Sequence, residues 1–125
     1  MKLLLDTHTY IWWLSRDRRL PPRARAAIES SATAVYVSAA VIWEAEIKIA
    51  LGKLRLSADL DLVTEIAASG FLELPIQPRH AQHAANLPPH HHDPFDRVLI
   101  AQAKIEGMIL ATSDAVFGAY GIPLL

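Results

Sequence analysis

Apolar positions along the chain fall into short solid runs and helical stripes, and the two kinds alternate. Lys2 to Leu5, Ala34 to Val37, Phe71 to Leu74 and Met108 to Ala111 are compact runs, apolar but for Lys2 and Glu73. Asp6, Ser38 and Pro75 follow the first three, and Asp114 lies just past the fourth. Runs this short, bounded by caps and turn formers, read as buried strands. Between them lie helical segments. Thr7 to Leu14 carries Tyr10, Ile11, Trp12, Trp13 and Leu14 in succession, and Pro21-Pro22 opens a helix with Arg23, Arg25 and Glu29. Ser38 caps a helix from Ala39 to Leu51 that stops at Gly52, Ser57 caps one ending at Gly70, and Pro78 starts one through about Asn86.

The best-defined helix begins at Asp93. That residue is a good N-cap, and Pro94 sits at the first helical position, where its missing N–H costs nothing. Asp96 falls in the first turn, facing the positive end of the helix dipole. Val98, Leu99, Ala101, Gln102 and Ile105 follow at helical spacing, and Gly107 closes the helix. A short helical turn is expected after Asp114, with Ile122 to Leu125 as a candidate last strand. Alternating strands and helices, with connections too long for hairpins, predict an α/β sandwich around a mostly parallel sheet of four to five short strands. The length predicts a single domain over residues 1–125. Every parallel strand then ends at one sheet edge, where such folds place their sites.

Composition narrows the function classes. The apolar fraction is 52%, yet no run approaches the length of a membrane span. The leucines after Lys2 are too few for a signal-peptide core, and Asp6 interrupts them. With no cysteine, disulfides and thiolate metal sites are excluded, and a cytoplasmic location is expected. The net charge of −1 does not mark a general polyanion binder, but nine of the twelve Lys and Arg residues lie between Lys2 and Arg55. Arg16, Arg18 and Arg19, together with Arg23 and Arg25, form either a phosphate-contacting patch for RNA or an ordinary solvated loop and helix face. The helix bearing Tyr10 to Leu14 is apolar all round, so it is expected to be deeply buried or partly covered by another protein.

The candidate chemistry lies in the acids. Asp6 follows the first strand, Glu44 sits in the second turn of the helix after the second, Asp93 and Asp96 open the helix before the fourth, and Asp114 follows that strand. Each aspartate also suits helix capping or the helix dipole, and Glu44 could simply pair with Lys48. The recurrence of acids at one end of successive strand–helix units favours a common pocket. Two carboxylates about 4 Å apart repel by roughly 4 kcal/mol at an effective dielectric near 20, so a cluster calls for a cation. Oxygen-only donors favour Mg²⁺ or Mn²⁺, ions that polarise phosphoryl oxygens in phosphodiester hydrolysis. The six histidines, including His80, His83 and His90-His91-His92, are read as lining the cleft or facing solvent rather than as a zinc site.

The chain also resembles the PIN-domain nucleases, in particular the VapC-type toxins of bacterial toxin–antitoxin pairs. The matching pieces are Leu3-Leu4-Leu5-Asp6-Thr7-His8, Ser38 leading to Trp43-Glu44, and Lys48 to Leu54 ending in Gly52-Lys53-Leu54. Asp93-Pro94-Phe95-Asp96-Arg97 with Leu99 to Ala103, and Thr112-Ser113-Asp114, complete them. The resemblance implies a Mg²⁺-dependent endoribonuclease with catalytic and metal-binding acids at Asp6, Glu44, Asp96 and Asp114. It leaves Asp93 as either an additional ligand or a cap. Asp6 and Asp96 are assigned to the metal, Glu44 to the attacking water or a second ion, and Asp114 to the outer shell. Thr112 and Ser113 are assigned to a phosphate or to the turn, and Arg97 to a phosphate. The implied partners are RNA and a small antitoxin protein, with a homodimer expected through the aromatic helix. A PIN-type nuclease acting on DNA is the alternative. A receiver-like binding domain is the weaker one, because no acceptor Asp follows a mid-chain strand and no Lys lies beyond Lys104.

Overall fold

Three fully buried leucines in a row require cover on both faces, and β1 (Lys2–Leu5) accordingly runs through the middle of the molecule. The computed structural model describes residues 1–125. β1 pairs in parallel with β2 (Ala34–Ser38) on one side and β4 (Ile109–Ala111) on the other, and β3 (Leu72–Leu74) adds to β2, giving the order β3-β2-β1-β4. The register sets Leu4 between Tyr36 and Leu110. Successive strands are added outward on one side of β1 until β3, and then the chain returns to the other side for β4. The gap between β1 and β4 is therefore a topological switch point, where the turns leaving adjacent strands diverge and open a crevice.

The helices are α1 (Thr7–Ser15), α2 (Pro22–Glu29), α3 (Ala39–Ala50), α4 (Leu62–Ala68), α5 (Pro78–Ala85) and α6 (Pro94–Glu106), followed by a 3₁₀ helix over Ala115–Tyr120. Leu99, Ile100 and Ala103 of α6 lie in one apolar core with Leu3 to Leu5, Leu110 and Phe117. Asp93 caps α6 through its Oδ1, which accepts from Phe95 N at 2.8 Å and Asp96 N at 3.3 Å, and Gly107 ends the helix at φ 67°. A left-handed residue there needs no Cβ clearance, as expected for a closing glycine.

Two expected elements change. Asp61 rather than Ser57 caps α4, accepting from Thr64 N at 3.2 Å, because Leu60 N bonds back to Ser57 O and turns the chain first. The last strand reduces to a bridge of Leu124 to Leu110, made by Leu110 N to Pro123 O and Leu125 N to Leu110 O, each 3.0 Å. Pro123 has no N–H to lengthen this ladder, and Gly121 turns left-handed just before it.

The apolar surface also falls elsewhere than expected. On α1, Tyr10 and Ile11 are buried, and Trp13 packs on Phe71 while its Nε1 donates to Ser69 Oγ at 3.2 Å. α3 instead leaves Trp43 61% exposed, and Leu51 at its C-cap is 63% exposed. Trp43 and Ile42 border an apolar groove of about 440 Å³ with Val63, Ile66 and Leu74, whose acidic members are Glu46 and Glu73. Of the consecutive aromatics of α1, Tyr10 and Trp13 both pack on Phe71 and Trp12 stacks on His8, whereas α3 has more apolar residues than its inner face can absorb. No helix is long and apolar enough to cross a membrane.

Candidate active site

Strand ends and helix starts meet at the switch point. There Asp6, Glu44, Asp93, Asp96 and Asp114 line one cleft of about 110 Å³, together with Thr7, His8, Lys48 and Phe117. The acids predicted from sequence are thus brought together, although nothing in their placement alone fixes a reaction.

Three of the acids serve as helix caps at the same time. Asp6 Oδ1 accepts from Thr9 N at 2.9 Å, and Asp114 Oδ1 from Val116 N at 3.0 Å, beside the Asp93 cap already described. Capping uses Oδ1 in each case, and these bonds leave Oδ2 uncommitted. The choice between cap and ligand therefore dissolves: the cap bond orients the carboxylate, and the second oxygen faces other chemistry. Glu44 is held differently. Its Oε1 accepts from Thr7 Oγ1 at 2.5 Å, and its Oε2 lies 2.9 Å from Lys48 Nζ, with the Glu44 side chain nearly buried. The i,i+4 pair is real, but it is a wall of the cleft rather than an exposed decoration.

Asp96 carries the electrostatic cost of this arrangement. Burial, then the charges of Asp93, Glu44, Asp6 and Asp114, push its carboxyl up from 3.8 to about 8. Burial disfavours the ion and the neighbours repel it, so both causes act in one direction. Lys48 is the one lysine or arginine lining the cleft against five carboxylates.

His91 is a participant that composition could not single out of its run of three. Its Nε2 lies 3.0 Å from Asp96 Oδ2 and 3.4 Å from Asp114 Oδ2. The three groups offer donor atoms within 4.8 Å of one another. The ring is fixed from several sides: Nδ1 accepts from Asp93 N at 3.2 Å, the main-chain N donates to Tyr120 Oη at 2.6 Å, and Phe117 packs edge-on at 5.5 Å. A backbone N–H can only donate, so Nδ1 carries the lone pair and Nε2 the proton in the neutral ring. As placed, His91 presents an N–H to the two carboxylates and not a ligand lone pair, although that N–H is aligned with neither oxygen as a formed hydrogen bond. Thr7, next to Asp6, is the other unforeseen member. A hydroxyl residue immediately after the strand-end acid was the available signal.

The remaining expected contacts separate from the cleft. Arg97 is corrected from a phosphate contact to a loop clamp. Its guanidinium donates to the carbonyls of Ala84, Leu87, Pro88 and His91 at 2.8–3.1 Å, which spends its donors on the loop before α6. Thr112 Oγ1 accepts from Asp114 N at 3.0 Å and so steadies the turn, and Ser113 is exposed beside it. Arg16, Arg18 and Arg19 lie beyond the C-terminal end of α1. Arg19 pairs there with Asp17 at 2.7 Å, and its hydrogen bonds hold the Asp17 carboxyl down at about 2. His80 neither lines the cleft nor faces solvent. It is buried, with Nδ1 accepting from Gln77 N and Nε2 2.9 Å from Glu106, so both nitrogens have partners.

A four-stranded parallel sheet with acids gathered at its switch point is an α/β domain with a candidate site, and the sequence match supplies its class. Residues 3–122 match the family described as PIN domain, and the chain belongs to that family. Among solved structures, a chain of the VapBC2 complex from Rickettsia felis, bound to a promoter DNA fragment, superposes with a TM-score of 0.72 at 12% identity. That match covers 100% of this chain and 98% of the other. A chain of DNA-bound VapBC from Salmonella typhimurium gives 0.72 at 18%, covering 100% and 97%. A toxin–antitoxin complex from Klebsiella pneumoniae gives 0.66 at 21%, covering 98% and 95%. These likenesses show a shared fold. No curated protein matches the sequence.

Proposed function

We propose that this chain is a Mg²⁺-dependent endoribonuclease, a single domain over residues 1–125, acting in the cytoplasm as the toxin of a toxin–antitoxin pair. The observation that supports this most is the convergence of five carboxylates on one small cleft, with Asp96 forced far above its ordinary pKa. Such a site is unfavourable alone and suits a hard divalent cation. Asp6 and Asp114 would hold it through the oxygens left over from capping and Asp96 through its uncapped carboxylate, with Asp93 as a further donor; Mn²⁺ has the same donor preference. A bound Mg²⁺ supplies Lewis-acid stabilisation of charge on a phosphodiester's oxygens.

The protein's own groups supply the rest. Glu44, oriented by Thr7 and Lys48, accepts a proton from the attacking water at a carboxylate oxygen. His91 Nε2–H spaces Asp96 from Asp114. Phe117 closes one wall against bulk solvent. For the partner, the apolar groove beside Trp43, with Glu46 and Glu73 among its lining residues, fits an amphipathic segment of a small antitoxin carrying basic residues. The same exposed face of α3 is available to a homodimer. The relatives named above were crystallised as toxin–antitoxin complexes, which supports that assignment.

Purified protein incubated with total RNA, with Mg²⁺ and with chelator, tests the proposal. Cleavage only with Mg²⁺ is expected, and single-stranded DNA in a parallel arm should stay intact. No cleavage of RNA under any divalent ion rejects the reading, and cleavage of DNA alone transfers it to the DNA-directed alternative.

A further inference from the structure

Helix α1 leads away from the acidic cleft, and its surface is not featureless. His8, in its first turn, is exposed and lines the cleft. One turn further, Trp12 lies in an offset stack with His8, ring centroids 5.7 Å apart and planes 17° from parallel. Beyond the helix, the Arg19 guanidinium sits over the Trp12 ring at 5.3 Å from its centroid. Asp17 fixes that guanidinium by accepting from its Nε at 3.1 Å and its second nitrogen at 2.7 Å. Asp17 N in turn donates to Trp12 O at 2.9 Å, so the loop is tied to the helix end. Unlike Trp13, which is pinned between Phe71 and Ser69, Trp12 is half-buried with partners that are themselves exposed.

This is a preorganised π-stack running from the cleft to a basic loop. From Arg16 to Glu29 the chain has five arginines against two acids, so the far end of the stack carries positive charge. Rings, a planar cation and surplus arginines in line match the chemistry of an unpaired nucleotide strand, whose bases stack and whose phosphates seek cations. A base still in a duplex cannot leave its own stack to join this one without an unpairing cost.

We infer that α1 is a subsite for single-stranded nucleic acid. An unpaired base adds to the His8–Trp12 stack next to the cleft, and the flanking phosphates reach the Arg16–Arg25 segment. The subsite rests on the nuclease reading above and adds a requirement that the acids do not impose: the nucleotides flanking the cut are unpaired. It also assigns His8 and Trp12, which hold no acid in place, as determinants of substrate form.

The test measures binding apart from cleavage. A fluorescent 12-nucleotide oligoribonucleotide is titrated by anisotropy into the Asp96→Asn protein with Mg²⁺, and the same probe is annealed to its complement for comparison. Base stacking of ordinary strength predicts roughly 5- to 150-fold weaker single-strand binding in His8→Ala, which removes the ring the base stacks on. A smaller loss is expected in Trp12→Ala, which removes the ring behind His8, and near-retention in Trp12→Phe, while the duplex binds weakly to all. His8 is exposed, so His8→Ala remains informative if Trp12→Ala does not fold. Equal affinity in His8→Ala and in folded Trp12→Ala overturns the inference, as does equal binding of duplex and single strand. Unchanged oligonucleotide affinity with a shift from dimer to monomer on size exclusion also overturns it, and gives the stack to a protein interface. Total-RNA cleavage by the unmodified protein, run alongside, stands or falls separately.

Discussion

Replacing Asp96 with Asn separates a strained site from a set of helix caps that happen to be neighbours. Folding raises this carboxyl from 3.8 to about 8, chiefly by burial and then by the charges of Asp93, Glu44, Asp6 and Asp114. Each pKa unit is worth about 1.4 kcal/mol, so at pH 7 the roughly three units between 3.8 and 7 cost on the order of 4 kcal/mol. The side chain is 18% exposed, so solvent screening removes only part of this. The sign follows from proton counting. Above about pH 4 the unfolded chain has released the proton, while the folded chain keeps it to about pH 8. This group's contribution is therefore most favourable below pH 4, falls through the window from 4 to 8, and is level above it. Asn keeps the shape and cannot ionise. In chelator at pH 7.5 the variant should melt above the unmodified protein by on the order of 10 °C, about 2–4 kcal/mol for a chain of this size. The gap should close as pH approaches 4. Mg²⁺ should raise the unmodified protein by about 2.7 kcal/mol at a hundredfold excess over Kd, and the variant far less. Thermal melts monitored by circular dichroism across that pH range decide it. A variant less stable than its parent in chelator, or a difference independent of pH, refutes the crowding argument.

The same proton gives a binding prediction: below about pH 8, cation binding must release it, so isothermal titration should show Mg²⁺ affinity weakening up to tenfold per pH unit. Asp6→Asn, Glu44→Gln and Asp96→Asn should each lower Mg²⁺-dependent RNA cleavage by at least about 10²-fold in a fluorogenic assay. Asp93→Asn should lose less, because Asn preserves the cap. His91→Ala should keep the fold but lower cleavage and shift its pH profile, whereas His91→Gln, which retains an N–H donor, should recover part of the rate. Trp43→Asp should abolish co-purification of a co-expressed antitoxin while leaving the melting temperature within a few degrees, since that ring is 61% exposed.

Much of this architecture is local in origin and therefore legible in the chain. The apolar runs at Leu3–Leu5 and Leu110–Ala111, the Asp93-Pro94 start of α6 and its Gly107 stop are each decided within a few residues. Where a segment had two competing local signals, the nearer one misled. Ser57 and Asp61 are both sound caps, and a turn at Leu60 selected the second. The five acids were legible as recurring at one end of strand–helix units, because parallel topology brings those ends to one edge.

The roles that only the folded chain could decide are those that depend on direction and burial. Arg97 lies in sequence beside Asp96, yet its guanidinium is absorbed by the carbonyl of Ala84 at the end of α5 and three carbonyls of the loop that follows. Nothing within His90-His91-His92 distinguishes the middle ring. It is selected by Asp93 N, Tyr120 and Phe117, the last two brought there from the other end of β4. The apolar succession in α1 pointed to an interface, but Tyr10 and Trp13 both turn onto Phe71 and Trp12 stacks on His8, and the most exposed apolar ring emerged on α3 at Trp43. Sequence by itself determined which residue types stand at strand ends and helix starts, through periodicity and capping that act over one or two turns. The pairing of side-chain atoms across the cleft and the repulsion concentrated on Asp96 are sums over contacts between distant segments, and they come into being only when β4 returns beside β1.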